Sequence, residues 1–229
     1  MKKALALISL LVAGSTQAVT TTDNQAWVPV NLLATVGDDW RAFLELQPRF
    51  TEDLSTLGTF IVRPAFGRAL SPNATVWLGY AMVASAASGG GYSVEHTPWQ
   101  GFYWRDVHAE RLIWEARNRL EERFLPGNGV PSIRWRTRLR VEYILAGGAG
   151  PLSVIASDEV FFNLNTNPNN PRLPAGFSQN RAYAGMGYRF APLFQLETGY
   201  LHQLVPGRGG AATQSNNVWL TNLNFNFGF

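Results

Sequence analysis

The chain has 229 residues, no cysteine, 46% hydrophobic and 15% charged residues, too apolar for disorder and long enough for one large all-β domain or two ordinary ones. Disulfides, thiol catalysis and cysteine-ligated metals are excluded together, and beyond the first twenty residues no run approaches the roughly 18 apolar residues of a membrane helix. Lys2 and Lys3 are the only lysines, so without the first 18 residues the balance is seventeen arginines against sixteen acidic residues, or +1, and a nucleic-acid partner has little electrostatic support.

Lys2 and Lys3, the apolar run Ala4 to Ala13 and the small residues around Thr16-Gln17-Ala18 have the layout of a secretory signal peptide cleaved after Ala18. The expected division is therefore a signal peptide over 1–18 and a β-barrel over 19–229. Period-two alternation follows along most of the chain. Weaker strand candidates are 25–34, 58–68, 74–84, 95–104 and 152–164. Between Trp40 and Phe50, Arg41, Glu45, Gln47 and Arg49 oppose Trp40, Ala42, Leu44, Leu46 and Phe50, with Phe43 out of phase. From Trp114 to Phe124, Glu115, Arg117, Arg119, Glu121 and Arg123 share one face. The clearest case is 132–145, where Arg134, Arg136, Arg138, Arg140 and Glu142 alternate with Ile133, Trp135, Thr137, Leu139, Val141 and Tyr143. On a helix those arginines would spread around the circumference, whereas a strand puts them on one face. Two further strands, around 181–190 and 194–204, are joined by a short turn at Ala191-Pro192, and Arg181, Arg189 and Glu197 lie on their polar parity.

The last strand sets Trp219, Thr221, Leu223, Phe225, Phe227 and Phe229 against Asn222, Asn224, Asn226 and Gly228. Such a face needs lipid or a partner sheet, and Phe225, Phe227 and Phe229 look like the terminal signal read by the barrel-assembly machinery. A β-sandwich would also bury an apolar face, but strand candidates of about 10 to 14 residues match tilted membrane crossings. The fold expected is an all-β, transmembrane, antiparallel up-and-down barrel of 10 to 12 strands with a polar, arginine-rich interior, integral to the outer-membrane lipid of a Gram-negative cell. Eleven candidates are visible. Because bacterial single-chain barrels prefer an even number, either 25–34 does not cross or a strand is hidden between 85 and 112. The polar or glycine-rich stretches 85–94, 165–178 and 205–215 all fall on the expected extracellular side.

The segments Asp158-Glu159-Val160-Phe161-Phe162-Asn163-Leu164, Gly176-Phe177-Ser178-Gln179-Asn180-Arg181 and Glu197-Thr198-Gly199-Tyr200-Leu201, with the arginine-rich pair Arg117 to Arg123 and Arg134 to Arg140, resemble the bacterial family called Domain of Unknown Function 2490. The resemblance is most specific from about 114 to 203, and 101–112 fits it poorly. It implies a small outer-membrane barrel and carries no activity, substrate or catalytic residue.

With the charged parity facing inward, twelve arginines (41, 49, 63, 117, 119, 123, 134, 136, 138, 140, 181 and 189) meet six glutamates (45, 115, 121, 142, 159 and 197), an interior charge of +6. Many of these groups should pair across strands as a polar plug, and the unpaired arginines could line a narrow anion-preferring, porin-like passage or a small-ligand site. Glu159 and Arg181 should meet inside. His202 lies on the outward parity, while His96 and His108 fall in loop or turn sequence, and the three form no metal motif. The loop Asn165 to Asn170 is explained by turn propensity. No cofactor and no catalytic residue are expected, and the reading is non-enzymatic. The alternative, a lipid-modifying hydrolase or acyltransferase, would need a nucleophile and a base meeting on the lipid-facing side.

Overall fold

The computed structural model describes residues 19–145, 152–170, 173–208 and 211–228. Residues 1–18, expected to be a signal peptide, and Phe229 lie outside these residues. Thirteen strands form one sheet: β1 (Thr20–Thr21), β2 (Asn24–Trp27), β3 (Val30–Val36), β4 (Trp40–Thr51), β5 (Thr56–Ala69), β6 (Ala74–Ala86), β7 (Tyr92–His108), β8 (Leu112–Arg123), β9 (Ser132–Ile144), β10 (Leu152–Asn163), β11 (Gly176–Ala191), β12 (Phe194–Val205) and β13 (Thr213–Gly228). From β4 to β13 every neighbour is the next strand in sequence and runs antiparallel to it.

The first three strands are one interrupted stave. All pair parallel with β13, and β2 and β3 also pair antiparallel with β4. The ladder breaks at Val28-Pro29 because proline has no N–H to donate, and Val28 instead donates to the Pro48 carbonyl at 3.0 Å. The barrel thus closes with eleven staves. This corrects the even-number expectation: no strand is missing, and 25–34 does take part. In an odd, fully alternating barrel the first and last strands run the same way, so they can only close parallel. The antiparallel description holds for every pair but this seam.

The seam is anchored beside the β4–β5 turn by Asp23. Its carboxylate accepts the backbone N–H groups of Glu52 at 3.1 Å and Asp53 at 2.9 Å. Glu52, Asp53 and Leu54 all have left-handed backbones (φ 54°, 52° and 70°), a run that non-glycine residues avoid and that aims successive amides at an anion.

Connections at one end of the barrel span two, three, three, four and seven residues, and those at the other four, five, seven, eight and twelve, an asymmetry in the direction of outer-membrane barrels. The stretches 85–94, 165–178 and 205–215 all reach the long-loop end. On the outside, Phe66, Leu78, Leu139, Met186, Phe190 and Trp219 are exposed, and Phe190, Phe194 and Phe225 stack at centroid spacings of 5.4 and 4.8 Å. The inside is not purely polar. Trp27, Ile61, Trp99 and Phe161 are all at most 3% exposed among the charged side chains.

Candidate functional site

The interior charge network is dictated by strand register. Across β8 and β9, Arg117 faces Arg138 and Arg119 faces Arg136, while Glu115 faces Arg140 and Glu121 faces Arg134. Like charges directly opposite are unfavourable, so compensation comes from farther round the wall. Glu159 of β10, 5% exposed, accepts from Arg117 at 2.5 Å and from Arg136 at 2.8 Å, with Arg181 at 3.7 Å. Glu121 takes Arg134 at 2.5 Å and Arg136 at 3.2 Å. Arg140 reaches Glu197 at 2.8 Å and Glu142 at 2.9 Å, and Arg63 pairs with Glu45.

A seventh inward carboxylate, Glu95 of β7, holds Arg123 through two bonds of 2.7 Å; sequence reading missed it although it shares parity with Tyr103. Sequence reading also gave no inward role to aromatics, whereas several receive arginines inside. Arg49 lies 3.8 Å over Trp27, Arg119 lies 3.8 Å over Trp99, and Arg136 and Arg181 each lie 4.7 Å from the Phe161 ring. A desolvated cation gains about 2 kcal/mol from such a face, so the rings take over where glutamates run short. The usable signal was parity: Phe161 is two residues from both Glu159 and Asn163.

These groups divide the interior in two. The half toward the long loops is packed, with Arg119, Glu121, Phe161 and Thr97 at most 2% exposed. At its mouth the loop after β10 is held to the neighbouring β8–β9 connection: Asn167 is 1% exposed and donates to the Val130 carbonyl at 3.1 Å and the Ser132 hydroxyl at 2.9 Å. Asn165 adds bonds to Pro131 and Ile133. The half toward the short turns holds a cavity of about 630 Å³ whose lining reaches the β5–β6 turn at Ser71 and Asn73. Ten arginines and five glutamates line it, together with Trp77, Tyr103 and, on the opposite wall, Asn222, Asn224 and Asn226. The out-of-phase Phe43 is among the lining residues and meets Trp77 edge-on at 6.3 Å.

Among the sequence-selected residues, Arg117, Arg136, Arg138, Arg140, Arg181, Arg189, Glu115, Glu142, Glu159 and Glu197 line this cavity, while Phe225 stacks on Phe194 on the outer face. Arg119, Arg123, Arg134 and Glu121 lie in the packed half.

The histidines differ from expectation. His96 is inside β7 rather than in a loop, and its ring hydrogen-bonds the Tyr80 hydroxyl on the outer surface. His108 ends β7 and meets Asp106 at 3.0 Å. His202 does find a hydroxyl on the outward face: its Nε2 lies 2.9 Å from Ser215 Oγ, in a polar band near the long-loop end where Tyr200 donates to Asn217 at 2.8 Å.

The model of the family described as "Protein of unknown function (DUF2490)" matches residues 24–215. The chain belongs to this family. An uncharacterised protein of Methylorubrum extorquens is 28% identical over 220 residues, covering 96% of this chain and 92% of that protein. Among solved structures, the NanC porin superposes with a TM-score of 0.53 at 14% identity, covering 89% of this chain and 98% of that one. At that identity the likeness shows the fold, a porin-like β-barrel, on which this DUF2490 member builds its own interior.

Proposed function

We propose that this DUF2490 protein is a non-enzymatic, integral outer-membrane barrel whose cationic interior accepts small anions. The observation that carries the reading is the lining of the cavity, ten arginines against five glutamates. In a low-dielectric wall such an excess attracts anions and repels cations. The exposed apolar outer face and the loop asymmetry support residence in outer-membrane lipid, reached through a cleaved signal peptide and the barrel-assembly machinery.

Titration of refolded protein with inorganic phosphate tests the reading: saturable binding that weakens with ionic strength is expected. Selective binding of a divalent cation in place of phosphate would overturn it.

A second reading, a lipid-acting hydrolase, is favoured by the contact between His202 Nε2 and Ser215 Oγ, which sets a base on a hydroxyl on the outer face. Covalent labelling of Ser215 by a fluorophosphonate, lost in His202→Asn, would support it. Absence of labelling would leave the pair as a hydrogen bond within the polar band.

A further inference from the structure

Ion pairing inside the barrel is tight at most inward carboxylates, including Glu142 and Glu197 near the short-turn end, and loose at Glu115. In the packed half and at the cavity floor the carboxylates are held at hydrogen-bond distance, as at Glu159, Glu121 and Glu95. Toward the short-turn end, Glu115 has three arginines around it and a hydrogen bond to none: Arg140 at 3.4 Å, Arg105 at 3.5 Å and Arg138 at 3.7 Å. Arg140 is already committed to Glu142 and Glu197. Arg105 and Arg138 are not, and Arg138 Nε is a buried donor with no hydrogen-bond partner among the described residues. Across the cavity β13 contributes the neutral amides Asn222, Asn224 and Asn226, which do not compete for a guanidinium as a carboxylate would, and the neighbouring Glu197 is taken by Arg140.

Toward the long loops the interior is tightly packed: Arg119, Trp99 and Phe161 are at most 2% exposed, and Asn167 ties its loop to Val130 and Ser132 beside the mouth.

We infer that the barrel is a one-ended receptacle in which a phosphate-type or carboxylate-type anion enters from the short-turn end and docks on Arg138 and Arg105 beside Glu115. The inference rests on the anion reading proposed above and adds a side of entry and a docking pair. With the long loops outward, the open end faces the periplasm, so the ligand is drawn from inside the cell envelope and no solute crosses. The loosely held Glu115 keeps the two guanidiniums apart and oriented. An incoming oxyanion replaces a long ion pair with charge-assisted hydrogen bonds, and the arginine forks match its geometry.

The native chain has no cysteine, so single-cysteine variants report cleanly. Full-length protein is reconstituted into vesicles free of other porins and exposed from outside to a small sulfonate thiol reagent. Val130→Cys, on a long loop, measures the fraction of molecules with that end outward, and Asp38→Cys, on a short turn, measures the complementary fraction. Asn222→Cys on the cavity wall should label to the same extent as Asp38→Cys. Inorganic phosphate should slow that labelling, with about tenfold weaker apparent affinity in the Arg138→Gln background. Labelling of Asn222→Cys in both populations would show a through passage and overturn the receptacle. Correct sidedness without phosphate protection would instead overturn the docking pair and the anion reading together. A Trp135→Cys variant in the same vesicles guards against misfolding, since an outward position in lipid should stay unlabelled from either side.

Discussion

Glu159 and Asp158 are consecutive residues carrying the same charge on opposite sides of the barrel wall, so removing each charge in turn separates the interior network from the sheet itself. Glu159→Gln leaves Arg117 and Arg136, which bond Glu159 at 2.5 and 2.8 Å, and Arg181 at 3.7 Å around a neutral amide that cannot balance them. The carboxylate side chain is 7% exposed, so solvent screening is slight, and breaking a buried pair in this way costs about 3 to 5 kcal/mol. Asp158 points outward and, among the described residues, is held by the Asn180 amide at 2.9 and 3.1 Å. Asp158→Asn should cost about 1 kcal/mol or less. In guanidinium unfolding of refolded protein, the first change should lower the midpoint by roughly 1 M and the second by a small fraction of that. Equal shifts, or a larger one for Asp158→Asn, would refute the assignment of Glu159 as the hub of the network.

Gly199→Ala should be strongly destabilising, by about 1 to 3 kcal/mol, because its Cβ would lie 2.3 Å from the Ala184 carbonyl and 2.4 Å from Gly185 Cα. Gly228→Ala meets nothing within 4 Å and should stay within about 0.5 kcal/mol of the parent in the same unfolding assay. Arg138→Gln should lower phosphate affinity with little loss of stability, whereas Arg136→Gln, which strips a partner from both Glu121 and Glu159, should appear mainly as lost stability. Deleting Phe229 should reduce assembly yield in cells more than Val130→Ala on a surface loop, and the parent should fractionate with outer membranes and show heat-modifiable migration on gels.

Period two made the staves legible in sequence because one residue's shift would have turned a row of arginines into lipid. The arginine-rich strand β9 begins and ends within a residue of its alternating segment, 132–145. What alternation could not give was closure, since nothing within a strand states its direction relative to the partner at the seam, and the preference of such barrels for an even strand number made the first stave look dispensable. Nor could it give register. Arg117 opposite Arg138 becomes visible only once β8 and β9 are aligned, and the answer to that clash, Glu159, comes from 42 residues away. The inward places of Trp27, Trp99 and Phe161 were not read from sequence, because large aromatics suit lipid and a packed interior equally; their stacking under guanidiniums distinguishes the two. The loop at 164–175 reads as turn composition in sequence, yet its asparagines tie it to the β8–β9 connection because their amides satisfy carbonyls at the barrel mouth.

The inward assignment of the arginine rows underlies the barrel, its cationic cavity and the anion reading. It is tested most directly by nitroxide labels placed singly at residues 134 to 141 in lipid vesicles, with relaxation by membrane-dissolved oxygen measured at each position. Positions 135, 137, 139 and 141 should show high oxygen collision rates and 134, 136, 138 and 140 low ones, a period-two pattern with the arginine sites shielded from lipid. High oxygen access at 136 and 138 with shielding at 135 and 139, or no alternation at all, would contradict it.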